Sequence, residues 1–177
     1  MKKILLIIIM LVAGGCADTK KETITVFHAG SLSALFKECK VTFEKKHNYT
    51  LLLEASGSVD AARKLTDLRK HCDVIALADV ALFDSMLKSY CPYWIAFAGN
   101  EMVLAYTEKS KFAQAIATNW INALLRYDIN CTRSDPLRDP CGYRTLLVWK
   151  LASQYYKNTE LEKIFAMRSP LAYMRPK

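Results

Sequence analysis

Between residues 24 and 78 the chain alternates short apolar runs with longer amphipathic ones. Ile24-Thr25-Val26-Phe27 and Leu51-Leu52-Leu53-Glu54 read as strands. Asp73-Val74-Ile75-Ala76-Leu77-Ala78 reads as a third, apolar throughout as a strand covered by helices on both faces should be. Leu32, Leu35, Phe36, Cys39 and Phe43 recur at helical spacing, which predicts a helix over 32–47 with Cys39 on its buried stripe. A second helix over 59–69 places Arg63, Lys64 and Asp67 on its polar face. The order βαβαβ predicts an α/β fold with a largely parallel sheet, and ligands bind such sheets outside the carboxyl ends of the strands.

Further on, the pattern predicts a helix over 80–87 that ends before Pro92, then strands at 94–97 and 102–106 around Gly99-Asn100. Polar residues 107–111 interrupt the pattern, and the stretch 99–111 is the expected passage into a second lobe. Helical stretches near 112–117 and 120–126 follow, then a short strand at 129–132 that makes Cys131 a core residue. Residues 135–140 form a long turn. A helix over 143–156 is expected to carry Leu146, Leu147, Leu151 and Tyr155 inward. There is no internal repeat and no low-complexity segment.

The N-terminus fixes a compartment. Lys2 and Lys3 precede an apolar run from Ile4 to Val12 and the small residues Ala13-Gly14-Gly15-Cys16. A basic start, a short apolar stretch and small residues before a cut site describe an export signal. The run is too short for a membrane span, which needs roughly 20 residues. Ala-Gly-Gly-Cys resembles the lipobox of prokaryotic lipoproteins, so Cys16 is expected to become the lipidated first residue; an ordinary export signal is the alternative. The expected organisation is a signal peptide at 1–15, a tether at 16–23, a first α/β lobe at 24–100, and a hinge with the start of a second lobe at 101–177.

Composition adds little beyond this. The 25 Lys and Arg against 17 Asp and Glu give a formal charge of +8, of which two leave with the signal peptide. The remaining basic residues are scattered along helix faces, and an exported protein rarely meets nucleic acid, so no nucleic-acid partner is expected. Of the 6 cysteines, those after Cys16 form no C-x-x-C pair, and His28, His47 and His71 are dispersed, which argues against a zinc site. The spacing leaves a Cys131–Cys141 bridge open.

Three short polar turns carry the candidate chemistry: Ala29-Gly30-Ser31, Ala55-Ser56-Gly57-Ser58 and Asp139-Pro140-Cys141-Gly142. Each stands where a strand or loop hands over to a helix. The first amides of a helix lack intrahelical partners, the helix dipole adds positive charge, glycine allows close approach, and serine adds a hydroxyl donor. Such turns hold oxyanions, and three of them point to one small anion. Each also has a plainer role: Ser31 and Ser58 suit helix caps, Asp139 with Pro140 suits a turn opening a helix, and Tyr143 and Arg144 suit packing and surface positions.

With these elements placed, the chain resembles the tungstate/molybdate-binding proteins of archaeal-type ABC transporters. The resemblance lies in Phe27-His28-Ala29-Gly30-Ser31-Leu32, Glu54-Ala55-Ser56-Gly57-Ser58, Lys64-Leu65-Thr66-Asp67-Leu68, Asp73-Val74-Ile75-Ala76-Leu77-Ala78-Asp79 and Asp139-Pro140-Cys141-Gly142-Tyr143-Arg144. It implies a two-lobed periplasmic-binding-protein architecture of type II, the first lobe largely present and the second incomplete. It implies an anion site of Gly30, Ser31, Ser58, Asp139, Pro140 and Cys141. Family members ligate the metal of the oxyanion with two carboxylates; Asp139 matches the first, and the second, with a binding tyrosine, is expected beyond residue 177.

The expected function is that of an extracytoplasmic lipoprotein that delivers molybdate or tungstate to an ABC permease and its ATPase, with no cofactor of its own. It would be held at the membrane by lipid and face the periplasm or cell exterior. A binder of phosphate or sulfate is the first alternative; a carboxylate has no ligand role toward sulfate. A thiol enzyme with Cys141 as nucleophile and His28 as base is the second.

Overall fold

A computed structural model describes residues 21–129 and 131–172. The signal peptide, Cys16 and the tether up to residue 20 lie outside the described residues, as does Asn130.

Three parallel strands form the sheet in the order β2-β1-β3: β1 (Glu22–Ala29), β2 (Tyr49–Ser56) and β3 (Val74–Ala76). β1 is central, pairing along its whole length with β2, from Glu22↔Tyr49 to Ala29↔Ser56, and with β3 at Val26↔Val74 to His28↔Ala76. Asp73 begins the β3 pairing twice over: its amide donates to Thr25 O at 2.9 Å, and its carboxylate accepts the Thr25 amide at 2.7 Å. Helices α1 (Ser33–Lys46) and α2 (Ser58–Thr66) make the crossovers, with a 3-10 turn at Gly30–Leu32 before α1. This is the α/β arrangement with a parallel sheet that the pattern predicts.

The core beside the sheet consists of Val26, Phe27, Leu51, Val59, Leu82 and Leu87, with Ala61 and Ala62 fully buried where α2 lies close to the strands. Small residues there let the backbones approach and pack densely. α1 is held more loosely. None of its residues is buried, and Cys39 is exposed, so the expected core position is corrected. The helix meets the sheet through Phe36, stacked on His28 with ring centroids 5.1 Å apart, and Phe43, against Tyr49 at 6.4 Å. Those two rings anchor the helix at its two ends, and Cys39 between them is turned outward.

After α3 (Ala81–Ser85) residues 92–107 carry no regular element, so the strands expected at 94–97 and 102–106 are not formed. Tyr93, Ile95, Phe97 and Val103 are exposed, and no described segment pairs with them. A strand exists only through its ladder partners, whatever its local propensity. The strand expected at 129–132 is likewise absent among the described residues; instead Arg133 makes one parallel bridge to Leu171. Cys131 is half-buried beside the helical cluster described next.

α4 (Ala113–Thr118), α5 (Trp120–Leu124), α6 (Pro140–Tyr155) and α7 (Leu161–Arg168) pack together around Ile116, Ile121, Leu124, Trp149, Leu161 and Phe165. The face of α6 that does this is only partly the expected one, with Leu146 packed against the cluster as expected. Thr145, Trp149, Ala152 and Ser153 are buried, whereas Leu147, Leu151 and Tyr155 are 53%, 62% and 81% exposed. α6 has two apolar stripes, and the one carrying the indole wins. Trp149 lies 5.0 Å from Phe165 and 6.2 Å from Trp120 by ring centroid, and its Nε1 donates to Ser169 Oγ at 3.2 Å.

Candidate functional site: three turns at the carboxyl edge of the sheet

β1 and β2 end in register at Ala29↔Ser56, so the first two polar turns emerge side by side. A Cβ added to Gly30 would lie 3.8 Å from Ser56 O. Ser31 is exposed within the 3-10 turn and makes no capping bond there. Neither serine caps a helix through its side chain: the residue before α2 is Gly57, and Ser58 is its first residue.

Ser58 is 1% exposed, and its Oγ accepts the Ala78 amide at 3.0 Å. Accepting that hydrogen bond leaves the serine proton to be donated elsewhere. The neighbouring Ser56 Oγ is buried and has no hydrogen-bond partner among the described residues.

The third turn closes over the second. Arg138 O accepts the amides of Val59 at 3.2 Å and Asp60 at 3.4 Å, so a carbonyl takes up orphan donors at the start of α2. Arg138 Nε donates to Asp60 Oδ2 at 2.7 Å, and Arg63 Nη1 to Leu137 O at 3.1 Å. Gly57 is required by this contact, because a Cβ there would stand 2.2 Å from Arg138 O. The glycine of the Asp-Pro-Cys-Gly turn has the same reason. A Cβ on Gly142 would lie 2.5 Å from Asp135 C and Pro136 N.

Asp139 is the N-cap of α6: its Oδ1 accepts the Cys141 amide at 2.8 Å, with Pro140 at the first helical position. Geometry therefore gives Asp139 its capping role, and one carboxylate oxygen remains beyond that bond. Cys141 is an exposed free thiol, so the Cys131–Cys141 bridge is not formed.

Asp79 is the residue that sequence reasoning passed over. It is 4% exposed, immediately after Ala78. Its Oδ1 accepts the Ala81 amide at 3.0 Å; its Oδ2 accepts Tyr143 Oη at 2.5 Å and Arg144 Nη2 at 2.8 Å. Burial works to raise the Asp79 pKa, yet the Tyr143 and Arg144 hydrogen bonds and the Arg144 charge outweigh it and hold the carboxyl below its usual range. Tyr143 is pushed above the ordinary tyrosine range by burial and by the adjacent carboxylate. Tyr143 thus serves as a partner of a buried carboxylate, and so does Arg144, which also keeps the surface position expected of it with its side chain 47% exposed. Only the 64-residue separation hid the pairing.

His28 is 2% exposed, with Nδ1 within hydrogen-bond distance of Ala29 O at 2.9 Å and its ring stacked on Phe36. No hydrogen bond joins it to Cys141. Among the described residues, no group of three or more His, Cys, Asp or Glu is placed to hold a metal ion, and no helix is long and apolar enough to cross a membrane. An open groove of about 970 Å³, lined mainly by apolar side chains including Met102, Val103, Trp120 and Trp149, meets the turns at Cys141. Its lining suits apolar contact, and of the three polar turns only Cys141 borders it.

Comparison with known proteins follows this geometry. The chain is 46% identical over 157 residues to an uncharacterized solute-binding protein of Petrotoga mobilis, covering 87% of this chain and 49% of the relative. It is 42% identical over 165 residues to the molybdate/tungstate-binding protein WtpA of Pyrococcus abyssi, covering 86% and 48%. With WtpA of Thermococcus kodakarensis it shares 44% over 147 residues, covering 77% and 42%. The chain thus spans about half the length of the curated relatives it matches. Residues 24–169 match the family described as bacterial extracellular solute-binding protein, and the chain belongs to that family.

Proposed function

We propose that the chain takes part in capturing molybdate or tungstate outside the cytoplasm for an ABC importer. The observation that carries this reading is the contiguity of the three turns: Gly30 beside Ser56, and Gly57 beneath Arg138 in the loop that leads into α6. Residues separated by more than a hundred positions thereby form one polar edge at the carboxyl ends of the strands. The similarity to the two WtpA proteins, named for molybdate and tungstate, supports the choice of anion.

In this reading Gly30 and Ser31 offer a backbone amide and a hydroxyl, and Ser58 donates the proton left over from its bond to Ala78. Each such bond to a charged acceptor is worth about 1.5–3 kcal/mol. Pro140 opens α6 without an amide to satisfy, and Cys141 lies beside the helix start. Asp139 would repel a dianion unless it ligates the metal at its centre; its second carboxylate oxygen takes that role. A two-lobed type II architecture, the lipid on Cys16, and docking to a permease with its ATPase complete the proposal.

Calorimetric titration with molybdate, tungstate, sulfate and hydrogen phosphate tests it. Preference for the two metal oxyanions is expected, and tighter binding of phosphate would move the reading to the phosphate alternative. The thiol-enzyme reading has no support in the site, since His28 is buried on Phe36 and makes no bond to Cys141.

A further inference from the structure

We propose that Asp79 is a positioning residue for the anion site, holding the Asp139-Pro140-Cys141 turn against the Ser58 turn through Tyr143 and Arg144; this rests on the anion-site reading above. The dipeptide Ala78-Asp79 touches both turns. The Ala78 amide fixes the Ser58 hydroxyl at 3.0 Å, and the Asp79 carboxylate accepts from Tyr143 at 2.5 Å and Arg144 at 2.8 Å. Tyr143 and Arg144 lie in the first turns of α6, directly after the Asp139 cap and Pro140. Proline fixes its own backbone torsion, and Gly142 is packed on the backbone of 134–136 with no room for a side chain. A rigid helix start cannot tilt piecemeal, so pinning residues 143 and 144 sets where residues 139–141 stand.

Asp79 suits this task for a physical reason. A carboxylate that is 4% exposed stays charged only while its partners remain in place, so the buried charge resists any movement of α6 away from β3. The contacts at Arg138 hold the turn from the other side, at the start of α2. Between them the turn is held at two points, and the Asp139 carboxylate is aimed without touching the anion-binding serines.

The experiment uses the full chain with Asp79→Asn and, as a milder second variant, Tyr143→Phe. Amide hydrogen exchange without anion is read at residues 141–145, with β1 as the control for folding, and tungstate affinity is read by calorimetry. Both variants are also made on Asp139→Ala. The expected result is exchange at 141–145 faster by about tenfold in Asp79→Asn with β1 protection retained, and affinity weaker by about tenfold. On the Asp139→Ala background Asp79→Asn should weaken tungstate no further. Unchanged exchange at 141–145 overturns the proposal, and so does an affinity loss of equal size with and without Asp139. If the unaltered chain takes up no tungstate, the anion reading fails by itself, and the exchange result still decides whether Asp79 holds the start of α6.

Discussion

Arg138 offers its backbone carbonyl to the Val59 amide at 3.2 Å, across a gap of nearly eighty residues in sequence. The contact joins the loop before α6 to the first turn of α2 and lies directly over Gly57. Backbone groups make it, so side-chain patterns could not announce it. Gly57→Ala would put a methyl carbon 2.2 Å from that carbonyl. The loop must then move, because neither partner is the end of a flexible side chain. Gly57→Ala is expected to destabilise the chain by about 1–3 kcal/mol, as overpacking does, and to weaken anion binding with it. Denaturant unfolding and calorimetry on the same sample check both.

The two serines should separate cleanly. Ser31 is exposed and bonds no cap, so Ser31→Ala should leave stability within about 0.5 kcal/mol while weakening tungstate by roughly ten- to a hundredfold. Ser58 accepts the half-buried Ala78 amide, so Ser58→Ala strands a donor and costs about 1–3 kcal/mol of stability as well. Equal stability losses in the two variants would contradict the assignment.

The Asp79–Tyr143 pair gives stability a definite pH dependence. The Asp79 pKa is lower in the folded chain than in the unfolded one, so its contribution is fully present above the ordinary aspartate value, about 3.9, and is lost as pH falls through the lowered value. Tyr143 has the opposite sign. Its folded pKa is raised, so its contribution holds below about pH 10 and fades as pH climbs toward the raised value. Melting temperatures of the native chain and Asp79→Asn should differ most between these limits and converge in acid. Absorbance titration should find one tyrosine ionising above the ordinary range in the native chain and at lower pH in Asp79→Asn, where the effect of burial remains and that of the carboxylate is gone.

Packing of α6 supplies an internal control. Trp149→Ala removes a side chain 5% exposed and should cost about 3–5 kcal/mol, whereas Leu151→Ala, at a site 62% exposed, should stay within about 0.5. Thermal unfolding of the two variants distinguishes the observed face from the one its leucines suggest.

Local pattern sufficed where the fold is local. Phe36 and Phe43, the strand runs around Val26 and Leu51, and the glycines at 30 and 57 place β1, α1, β2 and α2, because each crossover is short and its partners are adjacent in sequence. The segments around Ile95 and Val103 carry strand propensity without a ladder partner among the described residues, and propensity alone does not build a strand. α7 had no signal strong enough to stand out, since its buried residues are chiefly Leu161 and Phe165. At the site, the three turns were legible from their Gly, Ser, Asp and Pro chemistry. The Asp79 network was not, because a buried carboxylate reads as an ordinary loop aspartate until its partners on α6 are seen.

The central claim is that the turns at Ser31, Ser58 and Asp139 form one site for a metal oxyanion. Competitive calorimetry on the full chain, titrating tungstate or molybdate in the presence of excess sulfate, tests it most directly. The account predicts saturable binding of both metal oxyanions that survives about tenfold excess sulfate, and loss of that discrimination in Asp139→Ala. Sulfate competing on equal terms with tungstate in the unaltered chain, or discrimination unaffected by Asp139→Ala, would contradict it.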